Sequence, residues 1–231
     1  MEKLTLQRYH EVEEKFYTDL INLVGNKLLF YCVTGSSGRM DVIPGWSDID
    51  VILVFEELSE FIFDSLIKSF RLNKFDIKIG TTFYSLKEWN TYKFQDPKTF
   101  NAIRYIHCGV YRPRMLNPKV LLHKLTIEML EIVNRVNLSN ELSILKRAVL
   151  EKQSERVVYK LILNILRISL LNQGIIAGGY HDIWKKAQIH FDNFPLPKIT
   201  PEEIMVNPER YTERAKHYFS FLNWLGNDLH A

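Results

Sequence analysis

Residues 28–55 read LLFYCVTGSSGRMDVIPGWSDIDVILVF, and this stretch decides the fold. It begins with an unbroken apolar, β-favouring run over 28–34, which is typical of a strand buried on both faces. A turn rich in glycine and serine follows, and then a loop that contains Pro44 and Gly45. A second apolar run predicts another strand over about 48–55. The stretch therefore predicts two strands joined by a short polar connection.

The segments on either side of this stretch extend an α/β pattern. Before it, apolar residues recur at helical spacing, and Gly25 is placed where a C-terminal cap is expected. These apolar residues are Tyr9, Val12, Phe16, Leu20 and Val24. After it, the pattern predicts a helix over 60–71, a strand over 75–79, a short helix over 83–94 and a strand near 104–112.

The character of the chain changes after Asn117. From there to the end the pattern is helical and strand signals are nearly absent. The helices are predicted over about 119–136, 140–172, 181–191 and 208–228. We therefore expect an α/β domain with a mixed sheet over 1–117, followed by an all-α helical bundle over 118–231.

Composition narrows the class of protein. The 231 residues include 46% hydrophobic residues, enough for a core, and 30 basic against 27 acidic residues. A net charge of +3 argues against nucleic acid as the main partner, which favours a strongly basic face. No apolar run approaches the roughly 18 residues of a membrane span, and the N-terminus lacks the apolar core of a signal peptide. Cys32 and Cys108 are too few for a disulfide framework, so we expect a cytoplasmic protein.

Three aspartates form the first candidate site. Side chains alternate along a strand, so Asp48 and Asp50 are expected to point to the same side. Two carboxylates that close repel each other unless a cation lies between them, and Mg²⁺ prefers oxygen ligands. Asp76 alternates with Phe75 and Ile77 in the predicted strand 75–79 and could face the same way. Three carboxylates can hold two Mg²⁺ ions about 3.5–4 Å apart.

The turn after the first strand is the second candidate site. Gly35 lets the backbone turn with a positive φ and approach a ligand closely. Successive backbone N–H groups in such a turn can bind phosphate oxygens. Ser36 and Ser37 add hydroxyl donors, and Arg39 adds a planar charged group suited to phosphate. Each feature alone has an ordinary structural explanation, as a solvated turn, a flexible loop or an edge strand, but their combined order favours a functional site.

That order resembles the nucleotidyltransferase superfamily related to DNA polymerase beta. The resemblance rests on TGSSGR at 34–39 and WSDID at 46–50, which look most like the kanamycin-type aminoglycoside nucleotidyltransferases. In that family the acidic residues hold Mg²⁺, the Gly-Ser turn binds the triphosphate, and a helical C-terminal domain helps to form the acceptor site. Eleven residues separate Ser36 from Asp48, slightly more than is typical, so the loop around 42–45 is expected to differ in shape.

The resemblance also suggests two residues in the helical half. Glu131 and Arg135 are similar to a Glu-x-x-x-Lys pair in which the glutamate is the general base and the lysine touches the triphosphate. The alternative, which the spacing favours, is an ordinary i,i+4 ion pair at the surface. A cationic acceptor would need an acidic pocket, for which the candidates are Glu128, Glu131, Glu151 and Glu155.

The sequence thus predicts a nucleotidyltransferase that uses Mg²⁺ and ATP, or another nucleoside triphosphate, to modify a hydroxyl of a small molecule such as an aminoglycoside-like antibiotic. The predicted catalytic residues are Asp48, Asp50, Asp76 and Glu131. The predicted triphosphate-binding residues are Gly35, Ser36, Arg39, Ser47 and Arg135. Two alternatives stay open: an enzyme that modifies a protein or serves a toxin–antitoxin pair, and a non-catalytic nucleotide-binding protein. The acceptor, the preferred base and the oligomeric state do not follow from the sequence.

Overall fold

The structure is a computed structural model that describes residues 5–72, 76–91 and 97–227. The chain divides into two units, Met1–Leu125 and Thr126–Ala231. The first combines helices with strands, and the described residues of the second form helices without strands, as the sequence predicts. The elements of the first unit are α1 (Leu6–Val24), β1 (Leu28–Thr34), α2 (Gly35–Arg39), β2 (Ile49–Phe55), α3 (Glu60–Leu72), β3 (Ile79–Ser85), α4 (Leu86–Thr91), α5 (Pro97–His107) and β4 (Met115–Leu116).

The first unit contains a four-stranded mixed sheet with the strand order β3-β2-β1-β4. β1 is antiparallel to both β2 and β4, whereas β2 and β3 are parallel. A parallel pair needs a crossover connection, and α3 supplies it. β1 and β2 are buried along almost their whole length, which confirms the two strands predicted over 28–34 and 48–55.

The first predicted helix is confirmed as α1, together with both of its ends. The Thr5 side chain accepts a hydrogen bond from the backbone N–H of Arg8 at 3.2 Å and so caps the N-terminus. Gly25 ends the helix with φ 58°, a left-handed value that favours glycine. The apolar face of α1 is buried in one core with residues of β1 and β2. The buried residues of α1 are Tyr9, Val12, Phe16, Leu20 and Val24.

The strand predicted over 75–79 is wrong, because β3 begins only at Ile79 and runs to Ser85. Phe75 lies outside the described residues. Alternation of polar and apolar residues is a local signal, whereas the extent of a strand depends on the backbone with which it pairs. β3 pairs with β2 over all seven of its residues, beginning with Ile49 opposite Ile79.

The short helix predicted over 83–94 begins later, at Leu86, and residues 92–96 lie outside the described part of the chain. Ser85 and Glu88 form its start. The backbone N–H of Ser85 donates to Glu88 Oε2 at 2.7 Å, and the backbone N–H of Glu88 donates to Ser85 Oγ at 3.1 Å. This reciprocal pair is a capping box, so β3 passes directly into α4.

The strand predicted near 104–112 is also wrong, because this segment begins inside α5 and continues as a loop. Phe100 and Ile103 are both buried and lie three residues apart, as one face of a helix requires. Gly109, with φ 71°, follows the helix, and its N–H donates to the carbonyl of Ile106 at 2.9 Å. Packing of a helical face therefore overrides the local preference for a strand.

The boundary between the units lies at Leu125, whereas the sequence places it near residue 117. The chain after Asn117 has no helix until the second unit begins, and it stays bonded to the first. The backbone N–H of Asn117 donates to the carbonyl of Leu29 at 2.8 Å. Trp89 Nε1 donates to the carbonyl of Leu121 at 3.0 Å. These bonds keep the segment with the sheet.

The helices of the second unit are α6 (Ile127–Leu150), α7 (Glu155–Asn172), α8 (Tyr180–His190), α9 (Pro201–Val206) and α10 (Tyr211–Asn227). The break predicted between helices 119–136 and 140–172 is wrong, because α6 continues through it. The break lies at 151–154, where Lys152 has φ 52°. Buried residues of α6 continue up to the real break, so packing extends the helix; they are Leu145, Ala148 and Val149.

Within the described ranges, no helix combines the length and the apolar character needed to cross a bilayer.

A buried ion pair joins the first turn of α7 to α10. The Glu155 side chain is 3% exposed and that of Arg214 is 11% exposed. Arg214 donates to both carboxylate oxygens of Glu155 and, at 2.8 Å, to the carbonyl of Asn207. The Tyr218 hydroxyl donates to the same carboxylate, and burial followed by this hydrogen bond raises the pKa of Tyr218. Glu155 is therefore part of the core, where the sequence suggested an acceptor pocket.

Candidate active site

Asp48 and Asp50 lie at the start of β2, on either side of the fully buried Ile49. Both aspartates are half-buried. Asp50 pairs with Thr34 at the end of β1 and with Gly80 near the start of β3. Alternation along the strand turns Ile49 into the core and the aspartates to the opposite side.

The Asp50 carboxylate lies between two glycines. A Cβ placed on Gly35 would come 2.6 Å from Asp50 Oδ2, and one placed on Gly80 would come 3.0 Å from Asp50 Oδ1. Side chains at these two positions would therefore compete with the carboxylate for its space. Gly35 has φ 63°, a second reason for glycine at that position. The two glycines leave both oxygens of Asp50 room beside the turn.

The Gly-Ser segment is the single-turn helix α2, and hydroxyl groups tie it to the Asp-x-Asp segment. The Thr34 hydroxyl donates to the carbonyl of Asp50, and the Ser37 hydroxyl donates to the carbonyl of Asp48, each at 3.3 Å. Ser36 is half-buried, and its carbonyl accepts from the backbone N–H of Asp41 at 3.0 Å. The turn and the two aspartates are therefore fixed relative to each other.

Arg39, predicted as a phosphate ligand, has a side chain that is only 7% exposed. Its Nε donates to Asp41 Oδ2 at 2.9 Å, and its Nη1 donates to the Tyr111 hydroxyl at 3.0 Å. The guanidinium therefore holds the chain that follows α2. Direct contact of Arg39 with phosphate stays a prediction.

Ser47, also predicted at the triphosphate, closes the loop before Asp48. Its hydroxyl accepts from the backbone N–H of Ile43 at 2.9 Å, and its carbonyl accepts from the Tyr9 hydroxyl at 2.8 Å. Ser47 is buried. These bonds fix the shape of the loop and connect it to α1.

The structure does not bring Asp76 to the other two aspartates. The residue opposite Asp50 on β3 is Gly80, and Asp76 precedes that strand. Its carboxylate is bound by the Arg8 guanidinium of α1, with Nε to Oδ2 at 3.1 Å and Nη2 to Oδ1 at 3.1 Å. The hydrogen bonds from Arg8 lower the pKa of Asp76. The predicted three-carboxylate cluster depended on a strand that begins at residue 75. Because β3 begins only at Ile79, Asp76 precedes the strand and does not lie opposite Asp50.

A magnesium site on Asp48 and Asp50 remains compatible with the structure. Over the described residues, no three His, Cys, Asp or Glu side chains gather into a metal-binding group. Mg²⁺ commonly uses only one or two carboxylates and completes its shell with water and substrate phosphates. Asp48 and Asp50 supply two such carboxylates, and the absence of side chains at Gly35 and Gly80 lets the Asp50 carboxylate lie beside the turn.

Glu131 and Arg135 lie one turn apart on α6 in the second unit, and both are exposed. Val133 and Asn134, between them, are buried. In the part of the chain that the structure describes, no hydrogen bond or ion pair joins Glu131 to Arg135. Their roles as general base and triphosphate ligand stay predictions.

Three residues of the site were missed in the sequence: Gly80, Asp41 and Tyr111. Gly80 faces Asp50 only because of the pairing of β2 with β3. The Tyr111 hydroxyl accepts from the backbone N–H of Gly35 at 3.1 Å across 76 positions of sequence. No spacing signal reaches that far. Asp41 lies two residues after Arg39, so a local ion pair could have been predicted.

Comparison with known proteins supports the fold. No protein-family model matches the chain, and no curated protein matches it. One of the solved structures that this chain resembles in fold is that of spectinomycin adenyltransferase AAD(9) from Enterococcus faecialis, solved with ATP and spectinomycin, at 14% sequence identity and a TM-score of 0.58. The match covers 96% of this chain and 99% of that chain, so the likeness extends over both units.

Gly38→Ala tests how tightly the turn is packed. A Cβ on Gly38 would lie 2.4 Å from the carbonyl oxygen of Val33 and 3.0 Å from a ring carbon of Tyr111. Because the first neighbour is backbone, we expect a loss of about 1–3 kcal/mol in the free energy of unfolding, measured by chemical denaturation. Gly178→Ala is the matched control, since its Cβ would meet Asp182 Oδ2 at an ordinary 3.5 Å. Equal stability of the two variants would contradict the packing described for the turn.

Proposed function

We propose that this chain transfers a nucleoside monophosphate from a nucleoside triphosphate to a hydroxyl of a small molecule and releases pyrophosphate. The observation that carries the proposal is the Asp50 carboxylate, held between Gly35 and Gly80 directly beside the Gly-Ser turn. A carboxylate is a ligand type that Mg²⁺ prefers, and here it lies next to backbone amides of the kind that bind phosphate. The fold shared with AAD(9) supports the same class of reaction.

Asp48 and Asp50 are the proposed Mg²⁺ ligands. When bound, Mg²⁺ supplies positive charge that stabilises the phosphates during transfer. The backbone that carries the two carboxylates is fixed, since Ile49 is fully buried and the backbone carbonyls of both aspartates accept hydrogen bonds from Ser37 and Thr34. Their preorganisation keeps negative charge in place for the metal without a rearrangement during the reaction.

The triphosphate is proposed to bind at the Gly35-Ser36 turn. Ser36 is half-buried and offers a hydroxyl, and backbone amides of the turn offer further donors. Arg39 and Ser47 support this site from within the protein, because both are committed to bonds that shape the loop over 39–47. ATP is the first triphosphate to test, since AAD(9) was solved with it.

The proposed acceptor is a small hydroxyl-bearing antibiotic of the aminoglycoside type, and the proposed biological role is antibiotic resistance. Spectinomycin is the second molecule in the AAD(9) structure. Glu128, Glu131 and Glu151 are exposed on or next to α6 and could attract a cationic molecule. The buried Glu155 is removed from that set.

Glu131→Gln tests the proposed general base. An acceptor hydroxyl must lose a proton as it attacks, and the metal-bound aspartates are not free to take it. We expect Glu131→Gln to lower turnover by at least about tenfold, to leave triphosphate affinity nearly unchanged and to flatten the acidic limb of the pH–rate profile. Glu213→Gln is the control, because Glu213 is an exposed glutamate of the same unit that is not among the proposed acceptor-binding residues. A Glu131→Gln variant that matches the parent in rate and pH profile would remove Glu131 from the mechanism.

The function itself can be tested by following pyrophosphate release. The parent chain is incubated with Mg²⁺, each common nucleoside triphosphate and a panel of aminoglycoside-type antibiotics that includes spectinomycin. Acceptor-dependent release of pyrophosphate is expected for at least one pair. Triphosphate binding without any release would favour the non-catalytic alternative, and release with a protein acceptor alone would favour a protein-modifying enzyme.

A further inference from the structure

The Tyr111 hydroxyl lies between the two parts of the turn that surround Asp50. It accepts a hydrogen bond from the backbone N–H of Gly35 at 3.1 Å and another from Arg39 Nη1 at 3.0 Å. Tyr111 is 5% exposed, its ring is tilted against Tyr105 with centroids 5.0 Å apart, and a Cβ placed on Gly38 would come 3.0 Å from one of its ring carbons. The hydroxyl is therefore held in one place by packing and by hydrogen bonds.

The hydrogen-bonding capacity of this hydroxyl is only partly used. A phenol has two acceptor lone pairs and one donor hydrogen. Gly35 and Arg39 occupy both lone pairs, and Arg39 is a charged donor. Within the described residues, the Tyr111 hydroxyl donates to no protein acceptor. Two donors that pull electron density from the oxygen also strengthen its own O–H as a donor.

The hydrogen of the Tyr111 hydroxyl needs an acceptor, and the described residues around it supply donors. The donors around the oxygen are the first amide of the Gly-Ser turn and a guanidinium, so an anion is favoured there over a neutral group. A Cβ placed on Gly35 would come 2.6 Å from Asp50 Oδ2, so the residue that donates to the Tyr111 hydroxyl lies beside the proposed metal ligand. A phosphate oxygen at the turn would supply the acceptor that this hydrogen lacks.

We propose that Tyr111 is a triphosphate-binding residue, whose hydroxyl donates to a phosphate oxygen while it holds Gly35 and Arg39 in position. This inference rests on the proposed function and adds a residue to its triphosphate site. It also gives Arg39 a role through Tyr111, since the guanidinium polarises the hydroxyl and orients it.

The test compares Tyr111→Phe with the parent in calorimetric titrations with ATP and with inorganic tripolyphosphate, both in the presence of Mg²⁺. The substitution keeps the ring and removes one charge-assisted hydrogen bond, so both ligands are expected to bind at least about tenfold more weakly. Tyr84→Phe is the matched control, because its hydroxyl is bonded to Thr99 Oγ1 at 2.8 Å in the same unit. It is expected to bind both ligands as the parent does.

Each other outcome overturns the inference in a recognisable way. Unchanged affinity of Tyr111→Phe for both ligands would exclude Tyr111 while leaving the proposed function in place, and weakened ATP binding with unchanged tripolyphosphate binding would place the contact away from the phosphates. A parent that binds neither ligand would overturn the proposed function as well.

If Tyr111→Phe does not fold, the parent labelled with carbon-13 at the tyrosine Cζ positions is titrated with tripolyphosphate. A shifted tyrosine resonance is then expected, and its absence would overturn the proposal.

Discussion

Asp50→Asn is expected to lower turnover by about 100-fold or more while the chain stays folded. The substitution removes a carboxylate charge that we propose holds Mg²⁺, and metal-centred stabilisation contributes several kcal/mol to such reactions, at about 1.4 kcal/mol for each factor of ten. The fold is expected to survive, because asparagine has the size of the aspartate that lies between Gly35 and Gly80. The measurement is kcat at saturating triphosphate and Mg²⁺, together with a melting temperature.

Asp76→Asn is the matched control for this prediction. The sequence predicted both Asp50 and Asp76 as metal ligands. In the structure Asp76 is bound to Arg8, whereas Asp50 lies beside the turn. We expect Asp76→Asn to keep turnover within about threefold of the parent, because an exposed ion pair contributes little. An equal loss of turnover in both variants would mean that Asp76 also belongs to the proposed metal site. Full activity of Asp50→Asn would exclude Asp50 as a metal ligand.

Arg214→Leu is expected to produce the largest loss of stability, about 3–5 kcal/mol in the free energy of unfolding. The substitution leaves the Glu155 carboxylate buried without its cation, which costs far more than the pair itself contributes. Denaturant titration of the whole chain, followed by circular dichroism, measures the effect. Arg210→Leu is the control, since its partner Glu213 is exposed, and it should cost no more than about 1 kcal/mol.

The double variant Glu155→Met with Arg214→Leu distinguishes an unpaired charge from lost packing. Replacing both members of a buried ion pair by apolar residues is often neutral, so the double variant should recover most of the stability lost in Arg214→Leu. If the double variant does not recover stability, the lost hydrogen bonds from Tyr218 to Glu155 and from Arg214 to Asn207 are themselves the source of the stability.

The parts of the fold that the sequence predicted are those with local signals. The strand over 28–34 is recognised from an unbroken apolar run, and α1 is recognised from helical periodicity together with Gly25 at its end. The start of α4 was missed although its signal was present, since Ser85 and Glu88 have the spacing of a capping box. The break in the helical half was misplaced, because core packing carries α6 past a polar stretch at 137–140.

The candidate site was predicted where it is local in sequence and missed where it depends on pairing. The turn at Gly35 and the pair of aspartates lie within sixteen residues of one another, and their order alone identified them. The neighbour of Asp50 on β3 is decided by a register between strands, and that register selects Gly80. Tyr111 reaches the turn from the loop after α5, a contact that no periodicity encodes.

Mass spectrometry of the acceptor tests the central claim most directly. The parent and Asp50→Asn are incubated with ATP, Mg²⁺ and each antibiotic of the panel, and the small molecules are then analysed. We expect the parent to add one adenylate to a hydroxyl of at least one acceptor, with one pyrophosphate formed for each adduct, and Asp50→Asn to give almost none. Adduct formation at the same rate by both proteins, or its absence for every acceptor and triphosphate despite triphosphate binding, would contradict the proposed nucleotidyl transfer at Asp50.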